Sequence, residues 1–149
     1  MKKIIYLMML TTLATLSKVK AQQPAEFTGA KATLKHYNAL YIVNTADEKR
    51  ISGTLRNIKN ALEDPRLKGK LTVEIIAFGD GVKLFEKTAT FQDRLQTLKD
   101  VGVILAQCEN TIKERNINKD QLLPIISYVP SGNGEIIIRQ YQGWATVHP

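Results

Sequence analysis

Val103-Ile104-Leu105-Ala106-Gln107-Cys108-Glu109-Asn110-Thr111 is the stretch whose reading decides the fold. Gly102 leads into Val103 to Ala106, a short apolar run with the composition of a strand buried on both faces. Cys108 follows it, and Glu109 to Asn116 reads as a helix. A strand that passes directly into a helix is the unit of a parallel α/β sheet.

The same alternation extends in both directions. Towards the N-terminus, Leu71 to Phe78 reads as a second buried strand closed by Gly79-Asp80-Gly81. Phe91, Leu95 and Leu98 mark an amphipathic helix after it, with Thr90 as its expected cap. Ala39 to Val43 is a further strand. Thr45-Ala46-Asp47-Glu48 has the spacing of a capping box, and Ile51, Leu55, Ile58 and Leu62 share one helical face that Pro65 ends. Towards the C-terminus, Ile125 to Val129 is a strand stopped by Pro130-Ser131-Gly132. The segment Glu135 to Arg139 has strand propensity, yet Ile136, Ile137, Gln140 and Tyr141 fit a helical face, and the alternation favours the helix. A short last strand is then expected at Ala145 to Val147. The expectation is a single-domain α/β fold, a mostly parallel sheet of about five strands with helices on both faces, as in a flavodoxin-like three-layer sandwich.

Composition bounds the function. The chain has 149 residues, 44% hydrophobic and 23% charged, which are globular values. Its formal charge of +7 comes from 21 basic and 14 acidic residues, but Lys2, Lys3, Lys18 and Lys20 fall in the first 21 residues, leaving 17 basic against 14 acidic. Basic residues are not clustered with aromatics, so no nucleic-acid partner is expected. A single Cys excludes an internal disulfide framework and a Cys-based zinc site. No dinucleotide fingerprint or Walker-type Gly-Lys-Ser/Thr occurs, and neither cofactor nor metal is expected.

Residues 1–21 read as an export signal. Met1-Lys2-Lys3 is basic, Ile4 to Leu16 is apolar, and Val19-Lys20-Ala21 offers small residues for cleavage before Gln22. Residues 22–35 read as a leader segment and 36–149 as the folded domain. Such a chain is expected to be periplasmic or secreted, with no stable membrane insertion after cleavage, because the apolar stretch is too short for a spanning helix.

In an open parallel sheet, ligands bind beyond the carboxyl ends of the strands. The loops there supply Asn44 and Thr45, Gly79, Asp80 and Gly81, Asn110 and Thr111, and Pro130, Ser131 and Gly132 as candidate ligand-binding residues. Cys108 is the candidate catalytic residue, since unpaired N–H groups at a helix start favour a thiolate. Packing as a small hydrophobe is the other reading of the same thiol. His36 and His148, the two histidines, lie at the ends of the domain and give no catalytic triad. Asp47, Asp80 and Glu109 offer either a gathered metal site or caps and turns, and caps and turns are the expected use.

Cys108-Glu109-Asn110-Thr111-Ile112, Asn118-Lys119-Asp120-Gln121-Leu122-Leu123-Pro124 and Tyr128-Val129-Pro130-Ser131-Gly132 resemble the DsrE/DsrF-like family of sulfur-relay proteins. The similarity runs from about Leu40 to Pro149 and includes Phe78-Gly79-Asp80-Gly81, the helix with Asn57 and Asn60, and Gln142-Gly143-Trp144-Ala145. It implies about five parallel strands, assembly into trimers or hexamers, and sulfur carried as a persulfide on a single cysteine, here Cys108. Export sets this chain apart from the cytoplasmic relay members. Two functions follow as expectations: a thiol-dependent sulfur carrier or sulfurtransferase exchanging sulfur with a donor or acceptor protein or small molecule, or a non-catalytic binding module in which Cys108 packs.

Overall fold

The computed structural model describes residues 26–149. Five strands, β1 (Tyr37–Val43), β2 (Leu71–Ala77), β3 (Ile104–Cys108), β4 (Ser127–Val129) and β5 (Ala145–Val147), form one sheet in the order β4-β3-β2-β1-β5. Every pairing is parallel. The register sets Val43 beside Ala77, Ala77 beside Gln107 and Cys108 beside Val129, so the carboxyl ends of the four inner-to-edge strands meet at one rim.

The helices are α1 (Glu48–Glu63), α2 (Gln92–Asp100), α3 (Glu109–Glu114) and α4 (Gly132–Tyr141). Each step from β1 to β4 moves one strand along the sheet in the same direction. Right-handed crossovers therefore put α1, α2 and α3 on one face. The last crossover runs back from β4 to β5 beside β1, which places α4 on the other. Packing agrees: Ile51, Leu55 and Ile58 of α1, Leu95 and Leu98 of α2 and Ile112 of α3 share one core cluster. The second face has the smaller cluster of Leu40, Ile76 and Ala106, covered by Ile136 of α4 with Trp144. The expected three-layer α/β fold is the one observed, with the C-terminal Ile-rich segment helical. Residues 31–149 form one compact unit.

Local chemistry corrects three expectations. Asp47 caps α1 as read from sequence, its Oδ1 accepting the Arg50 N–H at 2.8 Å, but Thr45 does not open a capping box: it accepts the Asp47 N–H at 3.1 Å and forms the turn before the helix. Thr90 does not cap α2: the N-cap position is Phe91, which enters the core at 3% exposure and closes no side-chain cap. The segment after Gly79 is more than a turn. Gly79–Phe85 winds as a 3₁₀ helix and sends Val82, Leu84 and Phe85 into the core. That apolar group is folded back into the core of its own domain. Burying Phe85 completely contributes about 1.5–3 kcal/mol. The chain leaving it meets Leu122 in an isolated antiparallel bridge, and Leu123 donates its N–H to the Phe85 carbonyl at 2.9 Å.

Gly81 is fixed by close approach. A Cβ there would lie 2.0 Å from the Val43 carbonyl oxygen, so only glycine lets the 3₁₀ segment cross the end of β1. Its place in the sequence motif is structural.

Candidate functional site

The site lies where the crossovers part company. After β3 the chain turns into α3 on one face, and after β4 it turns into α4 on the other. Divergence of two neighbouring strand exits opens a crevice at the carboxyl edge of a parallel sheet. Cys108 is at the bottom of that crevice. It is both the last residue of β3 and the N-cap residue of α3, and its side chain closes no capping hydrogen bond. The donors around it are thereby left to stabilise charge on the sulfur.

Burial alone would raise the Cys108 pKa, and it is the largest single influence. The backbone N–H groups of Thr111, Gly132 and Asn110 and the Thr111 hydroxyl together outweigh it, holding the thiol below its ordinary value. Two helix starts contribute. Asn110 and Thr111 belong to α3, and Gly132 is the first residue of α4, whose cap is Ser131 accepting the Gly134 N–H at 3.2 Å. Thr111 is 4% exposed, and its Oγ1 also accepts the Gly79 N–H at 2.9 Å. A chain of polar groups thus runs from Gly79 through Thr111 to the sulfur. Gln107, fully buried, donates from Nε2 to the Cys108 carbonyl at 3.1 Å and fixes the residue from the opposite face.

The thiol is 5% exposed and lines a cavity of about 210 Å³. Gly79, Asn110, Thr111, Ser131 and Gly132 line it with Cys108, so five of the ligand-binding residues expected from sequence share one space. Phe78, Glu114, Arg115 and Asn133 complete the lining. Gly132 must be glycine here, because a Cβ would fall 2.8 Å from Phe78 Cδ1. Arg115 lies beyond the C-terminus of α3 and is held across the mouth by Asp80, Nη2 to Oδ1 at 2.7 Å. Asp80 therefore acts on the cavity through Arg115 and is not part of its wall. The remaining expected residues lie outside the lining. Asn44 Oδ1 is bonded to His148 Nε2 at 3.1 Å, Thr45 is committed to its turn, Gly81 to its crossing, and Pro130 precedes the lining at Ser131.

Other polar groups are engaged elsewhere. Glu109, adjacent to Cys108, pairs with Lys119 at 2.8 Å, which holds its carboxyl below the usual carboxylate range and offsets its charge beside the thiol. Lys119 also sits over the Tyr128 ring, 3.9 Å from its centre. His36 Nε2 bonds Thr72 Oγ1 at 2.8 Å, and neither histidine lines the Cys108 cavity. Among the described residues no three His, Cys, Asp or Glu side chains gather as a metal site would need. A larger cleft of about 590 Å³ lies at the opposite end of the sheet, between α1 and α2.

Comparison with known proteins gives this site its context. The family model of the DsrE/DsrF-like family matches residues 25–149. The chain belongs to the DsrE/DsrF-like family. A search of curated proteins finds no match. Among solved structures, the chain is similar to a protein of unknown function, MTH1491, from Methanobacterium thermoautotrophicum. Identity is 27% and the TM-score 0.71, over 76% of this chain and 99% of that one. It shares its fold with the ychN protein from E. coli at 13% identity and a TM-score of 0.57, over 78% of this chain and all of the other. Membership accords with a sulfur-relay role in general, and DsrE/DsrF-like architecture is what brings Cys108 to the crevice between β3 and β4.

Proposed function

We propose that this DsrE/DsrF-like chain is an exported sulfur carrier that holds sulfane sulfur as a persulfide on Cys108. The observation that carries the reading is the set of N–H donors from α3 and α4 around one acidified thiol at the bottom of a small cavity. In the loading step the Cys108 thiolate attacks the outer sulfur of a donor persulfide, R–S–SH. A new S–S bond forms on Cys108, the donor S–S bond breaks, and the donor leaves as its thiolate. In the unloading step an acceptor thiolate attacks the outer sulfur of the Cys108 persulfide and restores the Cys108 thiolate. No electrons are gained or lost overall, so no redox cofactor is required. The donors that favour the Cys108 thiolate also make it a better leaving group when sulfur is passed on. Asn110, Thr111 and the Gly79 backbone position the incoming sulfur, and Arg115 guards the mouth.

The competing reading is a binding module in which Cys108 packs, favoured by its 5% exposure. Intact-mass measurement separates the two. Incubation with sulfide and an oxidant should add the mass of one sulfur, reversed by a thiol and absent in Cys108→Ser. A folded protein that gains no sulfur under these conditions overturns the carrier.

A further inference from the structure

The second cleft has the makings of a ligand site of its own. α1 and α2 are pinned together near their N-terminal ends, where Arg94 donates from Nη1 to Ser52 Oγ at 2.7 Å and from Nη2 to the Ser52 carbonyl at 2.8 Å. Beyond that pin the helices leave a space of about 590 Å³ between their C-terminal halves, floored by Gly69 in the turn before β2 and Leu71 at its start. The volume lies within the range of about 300–1,000 Å³ typical of small-molecule sites. Cys108 is at the carboxyl end of β3 and Leu71 at the amino end of β2 in a parallel sheet, so the two cavities occupy opposite rims.

The lining divides into two parts. Leu55, Leu62, Leu71, Leu98 and Val101 make it mainly apolar, and Val101 stands 64% exposed at its edge. Arg56, Lys59 and Arg94 face the same space against a single carboxylate, Glu63. Glu63 is already taken by Lys59 at 3.8 Å. Two guanidinium groups are left over. Arg94 has N–H groups beyond those given to Ser52, and Arg56 has no ion-pair partner among the described residues. An apolar wall with two unneutralised guanidinium groups at one end complements a molecule with a hydrocarbon or aromatic body and one anionic head. The helix dipoles agree with that orientation, because the negative C-terminal ends of α1 and α2 lie at the tail end and away from the head.

We propose that the α1–α2 cleft binds a small amphiphilic carboxylate, its head on Arg56 and Arg94 and its apolar body between Leu62, Leu71, Leu98 and Val101. This site is independent of sulfur transfer at Cys108.

The test titrates the isotope-labelled full chain with decanoate and decylammonium below their micelle concentrations and decanol below its solubility, and follows methyl resonances. Decanoate should shift the methyls of Leu55, Leu62, Leu98 and Val101 and bind about tenfold tighter than decanol, as one charge-assisted contact provides. Arg56→Gln should weaken decanoate several-fold and leave decanol unchanged, with Arg94 keeping the remaining preference for the carboxylate. Val101→Trp should abolish binding of both by filling the cleft. Arg94→Gln would also release α2 from Ser52, so the exposed Arg56 carries the charge test. Equal binding of decanol or decylammonium, no effect of Arg56→Gln, or no methyl shifts at all overturns the proposal. Methyl shifts that appear on changing protein concentration without ligand would also overturn it, by showing that a second copy of the chain fills the cleft.

Discussion

Thr111→Val removes one hydroxyl from a site that is 4% exposed and leaves the shape of the side chain almost unchanged. That hydroxyl serves two partners, accepting the Gly79 N–H at 2.9 Å and donating to the Cys108 sulfur when it is ionised. Valine leaves the half-buried Gly79 N–H without its acceptor, which costs about 1–3 kcal/mol. The thiolate keeps the three backbone donors and loses the fourth. A hydrogen bond to a charged group is worth about 1.5–3 kcal/mol, and one pKa unit corresponds to about 1.4 kcal/mol. The Cys108 pKa should therefore rise, back towards its ordinary value. Stability should respond with a definite sign. Because the folded thiol pKa is lowered, the unfolded chain binds more protons between the folded and unfolded values, and stability rises with pH through that window. It levels off above the unfolded value of about 8.5. In Thr111→Val the rise should be smaller. Thiolate absorbance against pH gives the first quantity without requiring a reagent to reach the buried sulfur, and urea melts at several pH values give the second. An unchanged absorbance midpoint together with a stability loss independent of pH would refute the contact between Thr111 and the sulfur.

Four other outcomes follow. Arg139→Met removes the counter-ion of Glu74, 2.6 Å away and 1% exposed, and of Glu135 at 2.8 Å, and should cost about 3–5 kcal/mol at neutral pH. Burial pushes Glu74 up despite Arg139, so the cost should shrink as pH falls through the raised pKa and the carboxyl neutralises; a loss independent of pH in urea melts would contradict this. Gly81→Ala forces a Cβ against the Val43 carbonyl and should lose about 2–3 kcal/mol, whereas a loss below about 0.5 kcal/mol would mean that the crossing relaxes freely. N-terminal sequencing of the exported protein should begin at Gln22, in residues outside those described, and soluble protein retaining Met1 in the cytoplasm would count against export. Light scattering should show a homotrimer or homohexamer, for which the exposed Ile137, Ile138 and Tyr141 of α4 offer an apolar contact surface; a monomer at micromolar concentration would contradict it.

The strands were legible because parallel strands buried on both faces are continuous apolar runs, and Ile75-Ile76-Ala77 or Leu105-Ala106 have no other plausible use. α4 was harder to read because Ile136 is turned towards the sheet while Ile137 and Ile138 are 55% and 54% exposed. Three consecutive isoleucines look like a strand when only one belongs to the core. The caps misled because Thr45 and Asp47 are both good cap residues, and which one serves depends on a turn that spacing does not specify. At the site, the strand–loop rule found Cys108, Asn110, Thr111, Ser131 and Gly132, which follow strand ends directly. Arg115 was missed because it arrives from the far end of α3, and Phe78 because it reads as the end of a strand. Arg115 is recognisable only through its partner Asp80, 35 positions earlier. No local pattern encodes that pairing.

One face of the sheet is held by three helices and a 3₁₀ segment, the other by α4 alone. α4 is attached through Ile136, the Arg139 contact with Glu74 and the packing of Arg139 over Trp144, 4.3 Å from the ring centre. Gly132, at its first residue, gives an N–H to the thiolate. Fraying of this helix from its start therefore withdraws a donor from the sulfur at the moment it uncovers the sulfur to solvent. The same opening relieves the burial that raises the thiol pKa, so its two effects on acidity oppose each other. Accessibility and the surroundings of the sulfur change in a single movement, so amide exchange along α4 and the reactivity of Cys108 should report the same opening equilibrium.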